Sequence, residues 1–194
     1  MSIIAFDTET TALKPGQICQ LSYLIYEGGE VTGKNLFFTV DDMSEGSQAV
    51  HGFSMEMLSE LSGGERFEDR AQEIFDDFSK AKMLIGHNVI FDDGFLRTEM
   101  TRAGLSLPRI KLFDTMNYFT PIMLMAPVQR NTRCKPPKLI ELAAYLGLTD
   151  EEIAQNADNW FGGGAAAHDA RFDAAMTFLC VKRAQEKGMI RGIL

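Results

Sequence analysis

Cysteine is scarce. Cys19, Cys134 and Cys180 are the three in 194 residues, and no two form a CxxC pair. That excludes a disulfide-built scaffold and a thiolate zinc ribbon, and it leads us to expect free thiols in a reducing, cytoplasmic setting. Long apolar runs are also missing. None approaches the ~18 residues of a membrane helix, and the N-terminal MSIIAFDTET shows no basic region or cleavage site, so no membrane partner is expected. The three histidines (His51, His87 and His168) share no ligand spacing with one another or with the cysteines, which argues against zinc. No GxxxxGK[ST] loop is present, and no Ser or Cys sits in a recognisable nucleophile neighbourhood. Basic charge is in deficit, with 19 Lys and Arg against 27 Asp and Glu, a net charge of −8. A surface that grips nucleic acid everywhere is therefore excluded. A local basic lane, or a carboxylate cluster that draws a polyanion through cations, is not.

At 45% hydrophobic and 24% charged residues the chain has the composition of an ordinary globular domain. Its length suits a single domain over 1–194, able to bury roughly 70% of its unfolded surface. No internal repeat is visible. Residues 2–6 are an apolar, β-branched run and read as a buried strand. Further strands are expected over 18–26 and 35–40, with a hairpin turn at Gly29 and Glu30. Phe67, Ala71, Ile74, Phe75, Phe78 and Ala81 recur at helical spacing, followed by a short strand at 83–85 that Gly86 ends. Phe91, Phe95, Leu96, Met100 and Ala103 predict a helix stopped by Gly104. Leu139, Leu142, Ala143 and Leu146 predict a shorter one before Gly147. The last helix carries Phe172, Ala175, Met176, Leu179 and Cys180, with Lys182, Arg183 and Lys187 towards its C-terminal end and Gly188 as its stop. Strands first and alternating helices and strands later predict an α/β domain. Its sheet should be mixed, an antiparallel meander followed by helical crossovers. Loops are expected near 126–137 and 156–167. The first includes RNTRCKPPK (130–138), with four basic residues, two prolines and no acid, either a solvated connector or a contact for a phosphate backbone. The second includes NWFGGGAAA (159–167), whose glycine run predicts a loose segment. The eleven methionines read as core filler.

Three constellations could carry chemistry. In Asp7-Thr8-Glu9-Thr10 a strand's alternation turns Asp7 and Glu9 to one side. Two such carboxylates repel unless one keeps a proton or a cation sits between them. The plainer alternative is an exposed strand end with a threonine-rich turn. In GHNVIFDDGFL (86–96) a strand gives way to a helix, the edge at which α/β sheets place their ligands. Asp92 there flanks the buried stripe, while Asp93 should be more exposed; either could simply favour the positive helix end. In HDARFDA (168–174) Asp173 flanks the stripe beside Met176 and Cys180. His168 stands five residues earlier, about 500° of helical rotation away, so it belongs to the loop or the helix start. A capping or surface histidine is the alternative.

Together, DTETT, HNVIFDDGFL and HDARFDA resemble the three exonuclease motifs of the DEDD superfamily. The histidine in H-x-A-x-x-D marks the DEDDh branch, the DnaQ-like, proofreading-type exonucleases. His51-Gly52-Phe53, Asp114-Thr115 and KLIELAAYLGL are similar to that family's secondary landmarks and come in the same order, so the likeness covers nearly the whole chain. The resemblance implies a ribonuclease-H-like fold around a mixed five-stranded sheet. It implies a metal-dependent 3′→5′ exonuclease that releases nucleoside 5′-monophosphates from a single-stranded or frayed end. Carried over by motif, Asp7, Glu9, Asp92 and Asp173 would hold two Mg²⁺ or Mn²⁺ ions, and His168 would be the general base. Thr8, Thr10, Asn88 and Phe91 would meet the substrate. Asp92 matches the family pattern H-N-x-x-F-D; Asp93 does not. Where family members often read DTETTG, Ala12 stands here, which touches the backbone meeting the terminal nucleotide and spares the metal ligands. The resemblance also allows a DNA polymerase partner. Two alternatives stay open: an oligoribonuclease or RNA 3′-end trimmer on the same site, and a catalytically silent nucleic-acid-binding or subunit-docking module.

Overall fold

A computed structural model describes residues 2–13, 16–125, 134–163 and 169–194. The chain opens with an antiparallel meander of β1 (Ser2–Thr10), β2 (Ile18–Glu27) and β3 (Glu30–Phe37). Two helices follow, α1 (Glu45–His51) and α2 (Met55–Ser62), and then α3 (Phe67–Phe78) leads into β4 (Ala81–Gly86). Next come α4 (Val89–Arg102), β5 (Lys111–Asp114) and α5 (Thr115–Met123). The described chain ends with α6 (Leu139–Leu146), α7 (Asp150–Phe161) and α8 (Ala170–Glu186). The strands form one mixed sheet in the order β3-β2-β1-β4-β5, with β4 and β5 parallel to β1.

The apolar run of β1 is continuous because both faces of the sheet are covered. Ile3 and Ala5, with Leu24, Met83 and Ile85, pack against Phe119 of α5, Leu142 and Leu146 of α6, Ile153 of α7, and Phe172 and Met176 of α8. Ile4 and Phe6 point the other way, with Leu21, Tyr23 and Leu84, onto α3 and α4. Phe6 and Tyr23 meet Phe78 edge-on at 5.4 and 5.1 Å, the geometry in which aromatic quadrupoles attract.

Several boundaries differ from the sequence-based expectation. β1 continues to Thr10, so the DTET motif lies inside the strand. The hairpin turns at Gly28 and Gly29 (φ 63° and 91°), and Glu30 is already paired with Glu27. β3 therefore starts five residues earlier than expected. It is an edge strand whose first six residues, EVTGKN, are mostly polar and none of them buried, so it shows no apolar run. Ala81 belongs to β4 and not to the preceding helix. The loop expected from 156 begins only at Gly162, because α7 runs on to Phe161. Thr149 caps its start, and Trp160 packs edge-on against Phe178 at 5.5 Å. Met83, Met100 and Met176 are core residues as expected, but Met55 and Met57 are exposed. All three cysteines are free thiols, and burial pushes Cys19 and Cys180 up to about 12. No helix among the described residues is long and apolar enough to cross a membrane.

Candidate active site

β1 outruns its parallel neighbour. Its pairing with β4 stops at Ala5 and Ile85, whereas pairing with β2 continues to Thr10. Asp7 and Glu9 therefore stand at the sheet's edge on the face that α8 covers, opposite Ser22 and Gln20. Thr8 and Thr10 point to the α4 side. Gly86 ends β4 and lets α4 start close by, since a Cβ there would come within 2.9 Å of Val89. Asn88 then turns the chain through the left-handed region (φ 71°) into α4.

That turn delivers Asp92, which is buried at 4% exposure. One of its oxygens, Oδ1, accepts from both the Thr8 hydroxyl (2.6 Å) and the Thr8 backbone N–H (3.1 Å). Asp173 comes from the first turn of α8, on the Asp7 and Glu9 side. The acids sense one another. Burial first, then Asp92, Asp173, Glu9 and Asp169, raise the Asp7 carboxyl well above its ordinary range. Burial, followed by Asp173, Asp169 and Asp92, pushes Glu9 up to about 8. Asp92 is raised by burial, and the two Thr8 hydrogen bonds oppose that rise because they favour the charged form. Carboxyls gathered in a poorly solvated corner hold protons unless a cation takes their place. The donors are all carboxylate oxygens, which suits a hard divalent ion. Among the described residues no three His, Cys, Asp or Glu side chains close around one point as a finished metal site. The four acids are near enough to repel without forming a completed shell.

Asp93 is not one of this group: it pairs with Arg97 at 2.8 Å. His168 lies outside the described residues. The residues on either side of that segment share one partner, Arg171, which donates to the Gly163 carbonyl at 3.0 Å and pairs with Asp169. Asp169 is the site residue that sequence reasoning missed. It caps α8, is buried at 7% exposure, and adds a fifth carboxyl group to the cluster.

A cleft of about 550 Å³ opens beside Glu9. Thr8, Thr10 and Phe91 line it, together with Ala12, Leu13, Val50 and His51, so three of the four expected substrate contacts are brought together. The fourth, Asn88, is not among the lining residues; its N–H donates to Asp114 at 3.2 Å. Leu13 and Val50 are 89% and 60% exposed, an apolar wall turned to solvent. His51 stacks on Phe53, whose N–H donates to Nδ1 at 3.1 Å. His87, from the HNVIFDDGFL motif, donates from Nε2 to the Pro137 carbonyl at 2.9 Å and lies 2.9 Å from the Thr115 hydroxyl, so it ties the loop before α6 to the sheet. In the basic stretch, Arg130 and Arg133 lie outside the described residues, and Lys135 is paired with Glu141 at 2.6 Å.

A mixed sheet in this order, with carboxylates collected where its first strand outruns β4, defines a ribonuclease-H-like domain. The chain belongs to the RNase_T exonuclease family, whose sequence profile matches residues 4–178. It is 28% identical over 118 residues, 58% of its length, to the 3′-5′ exonuclease DinG of Bacillus subtilis. It is 24% identical over 160 residues, 80% of its length, to a PolC-type DNA polymerase III of Mycoplasmopsis pulmonis. The chain spans 12% and 10% of those two proteins. Its fold matches that of E. coli exonuclease I in complex with a dT13 oligonucleotide, with a TM-score of 0.72 at 18% identity, over 95% of this chain and 41% of that one.

Proposed function

We propose that this domain hydrolyses the terminal phosphodiester bond at the 3′ end of single-stranded nucleic acid and releases nucleoside 5′-monophosphates. The observation that carries the reading is the approach of Asp7, Glu9, Asp92 and Asp173 from one strand and two helices, each of the first three with its charged form disfavoured. These four side chains would hold two Mg²⁺ or Mn²⁺ ions, which when bound supply an activated water and charge stabilisation at the phosphate. The apolar wall of Leu13, Val50 and Phe91 offers the terminal base a packing surface, and Thr8 and Thr10 line the same cleft where the sugar would lie. His168, placed by its motif just ahead of α8, would take the proton from the attacking water. The P–O3′ bond then breaks, and the 3′ oxygen leaves on the shortened strand. The name of DinG supports the direction of degradation, and the dT13 bound to exonuclease I supports a single-stranded substrate. The PolC-type relatives support work alongside a DNA polymerase, and the three free thiols suit the cytoplasm.

The test is a pair of 5′-end-labelled oligonucleotides, DNA and RNA of equal sequence, incubated with Mg²⁺, Mn²⁺ or EDTA. The expected result is a ladder shortening from the 3′ end with mononucleotide product, abolished by EDTA. Labelled strands that stay full length, DNA and RNA alike, at saturating cation would overturn the reading in favour of a silent binding module. Faster loss of the RNA would make the domain an RNA 3′-end trimmer.

A further inference from the structure

The sheet face that bears Asp7 and Glu9 continues sideways as a polar strip. Gln20 lies opposite Glu9, Ser22 opposite Asp7, and Asn35 opposite Ser22. Two residues further along β2 the same face carries Leu24, a core residue. A side-chain amide taken out of water costs free energy unless its hydrogen bonds are made, so an apolar residue would pack there at less cost. Gln20 is fully buried, and every polar atom of its side chain is engaged. Nε2 donates to Asn35 Oδ1 and to Asp169 Oδ1, each at 2.9 Å. Oε1 accepts from the Ala170 N–H at 3.2 Å. Ser22 donates to the same Asn35 oxygen at 2.7 Å and fixes the amide's outer partner.

The partners on the far side have a common location. Asp169 is the N-cap of α8 and Ala170 its first residue, whose N–H has no acceptor within the helix. Asp173 follows within the same turn. The backbone of Gln20 is locked to that of Glu9 across β1 and β2. One amide thus connects the strand pair carrying Glu9 to the helix end carrying Asp173. The rest of α8 is pinned by apolar packing through Met176, Phe178, Leu179 and Val181.

We propose that Gln20 is a positioning residue: its amide clasps the first turn of α8 to β2 and so sets the Asp173 carboxylate against Asp7 and Glu9. Its effect on cation binding rests on the function proposed above; the clasp itself does not.

The test is Gln20→Met in the whole chain, a near-isosteric change that removes both ends of the clasp. Without cation, exchange of the Phe172 and Asp173 amides, which donate to the Asp169 carbonyl, is expected to quicken at least tenfold, with residues 181–184 unchanged. Calorimetric titration with Mn²⁺ should show affinity falling at least tenfold, and kcat should drop more than KM changes. Gln20→Glu alone faces two carboxylates against each other and should be worse. Combined with Asp169→Asn it exchanges donor and acceptor at unchanged total charge, and should recover most of the loss. Wild-type exchange in the first turn of Gln20→Met, or equal acceleration along the whole of α8, would overturn the proposal. If the wild-type chain binds no Mn²⁺, the nuclease reading fails, and the exchange pattern alone still decides the clasp.

Discussion

Thr8 holds Asp92 by two hydrogen bonds to a single oxygen, 2.6 Å from its hydroxyl and 3.1 Å from its backbone N–H. The two residues are 84 positions apart, and through this pair α4 is fastened to β1 at the carboxylate itself. Because Thr8 points to the α4 side while Asp7 and Glu9 face α8, the strand end is gripped from both sides.

Replacing Thr8 by valine keeps the shape and the backbone donor and removes the stronger bond. Hydrogen bonds to charged groups contribute about 1.5–3 kcal/mol, so the charged form of Asp92 should be disfavoured by an amount of that order. Half-saturation by Mg²⁺ should rise roughly 10-fold or more on this scale, with a small change in melting temperature. A titration of activity against Mg²⁺ checks this, and an unchanged midpoint would detach Asp92 from cation binding.

The raised carboxyls give a pH dependence of definite sign. Glu9 has a folded pKa of about 8 against an ordinary 4.5, so the folded chain binds the extra proton. Its burial costs nothing below 4.5, costs progressively more as pH rises between the two values, and costs its full amount above 8. Without cation, Glu9→Gln should therefore melt higher than the wild type at pH 8.5, and the gap should close as pH falls towards 5. Divalent cations must displace these protons, so Mn²⁺ should bind more tightly as pH rises to about 8 and release protons on binding. Melting curves with and without EDTA, and calorimetry in buffers of different ionisation enthalpy, measure both effects. A gap that stayed constant with pH would mean that Glu9 titrates normally.

Much of this site was legible in the chain, for local reasons. Asp7 and Glu9 follow an apolar run, and the strand's alternation puts them on one side. Asp92 was separable from Asp93 by its place beside the buried stripe, and the structure buries Asp92 while pairing Asp93 with Arg97. What stayed hidden lacks local periodicity. β3 begins in polar edge residues, and β5 is only four residues long. α7 was obscured by reading its Asn-Trp-Phe end together with the glycines that stop it. The Gln20 and Asp169 link spans 149 positions, and neither residue stands out until the sheet and α8 are brought together. The cleft wall from α1 contains no buried residue, so no core pattern marks it.

Leu13 tests the cleft. At 89% exposure it adds almost nothing to the core, so Leu13→Ala should leave stability within ~0.5 kcal/mol. If a terminal base packs on it, the lost apolar contact should be about 1–2 kcal/mol, seen chiefly as a KM for single strands raised roughly 5- to 30-fold. Steady-state kinetics on a short oligonucleotide check this. An unchanged KM would place the substrate elsewhere, for instance in the cleft of about 520 Å³ beside Asp173 and Phe172.

His168 is the decisive residue for mechanism, because a base and a metal ligand fail differently. The carboxylates already provide an all-oxygen donor set, so a base at His168 has no share in holding cations. His168→Ala should then keep the rise in melting temperature that Mn²⁺ produces, while turnover falls by ~10²–10⁴-fold, the usual loss of a positioned base. The activity that remains should also lose the lower-pH limb of the wild-type rate profile, since that limb reports protonation of an imidazole near neutrality. Asp7→Asn gives the contrast: it should lose activity and most of the Mn²⁺-induced stabilisation together. Two outcomes would reverse the assignment. Unchanged kcat in His168→Ala across pH 6 to 9 would remove the base from the reaction. Loss of Mn²⁺ stabilisation as complete as in Asp173→Asn would make the histidine a ligand, and the proton would then have to leave by another route.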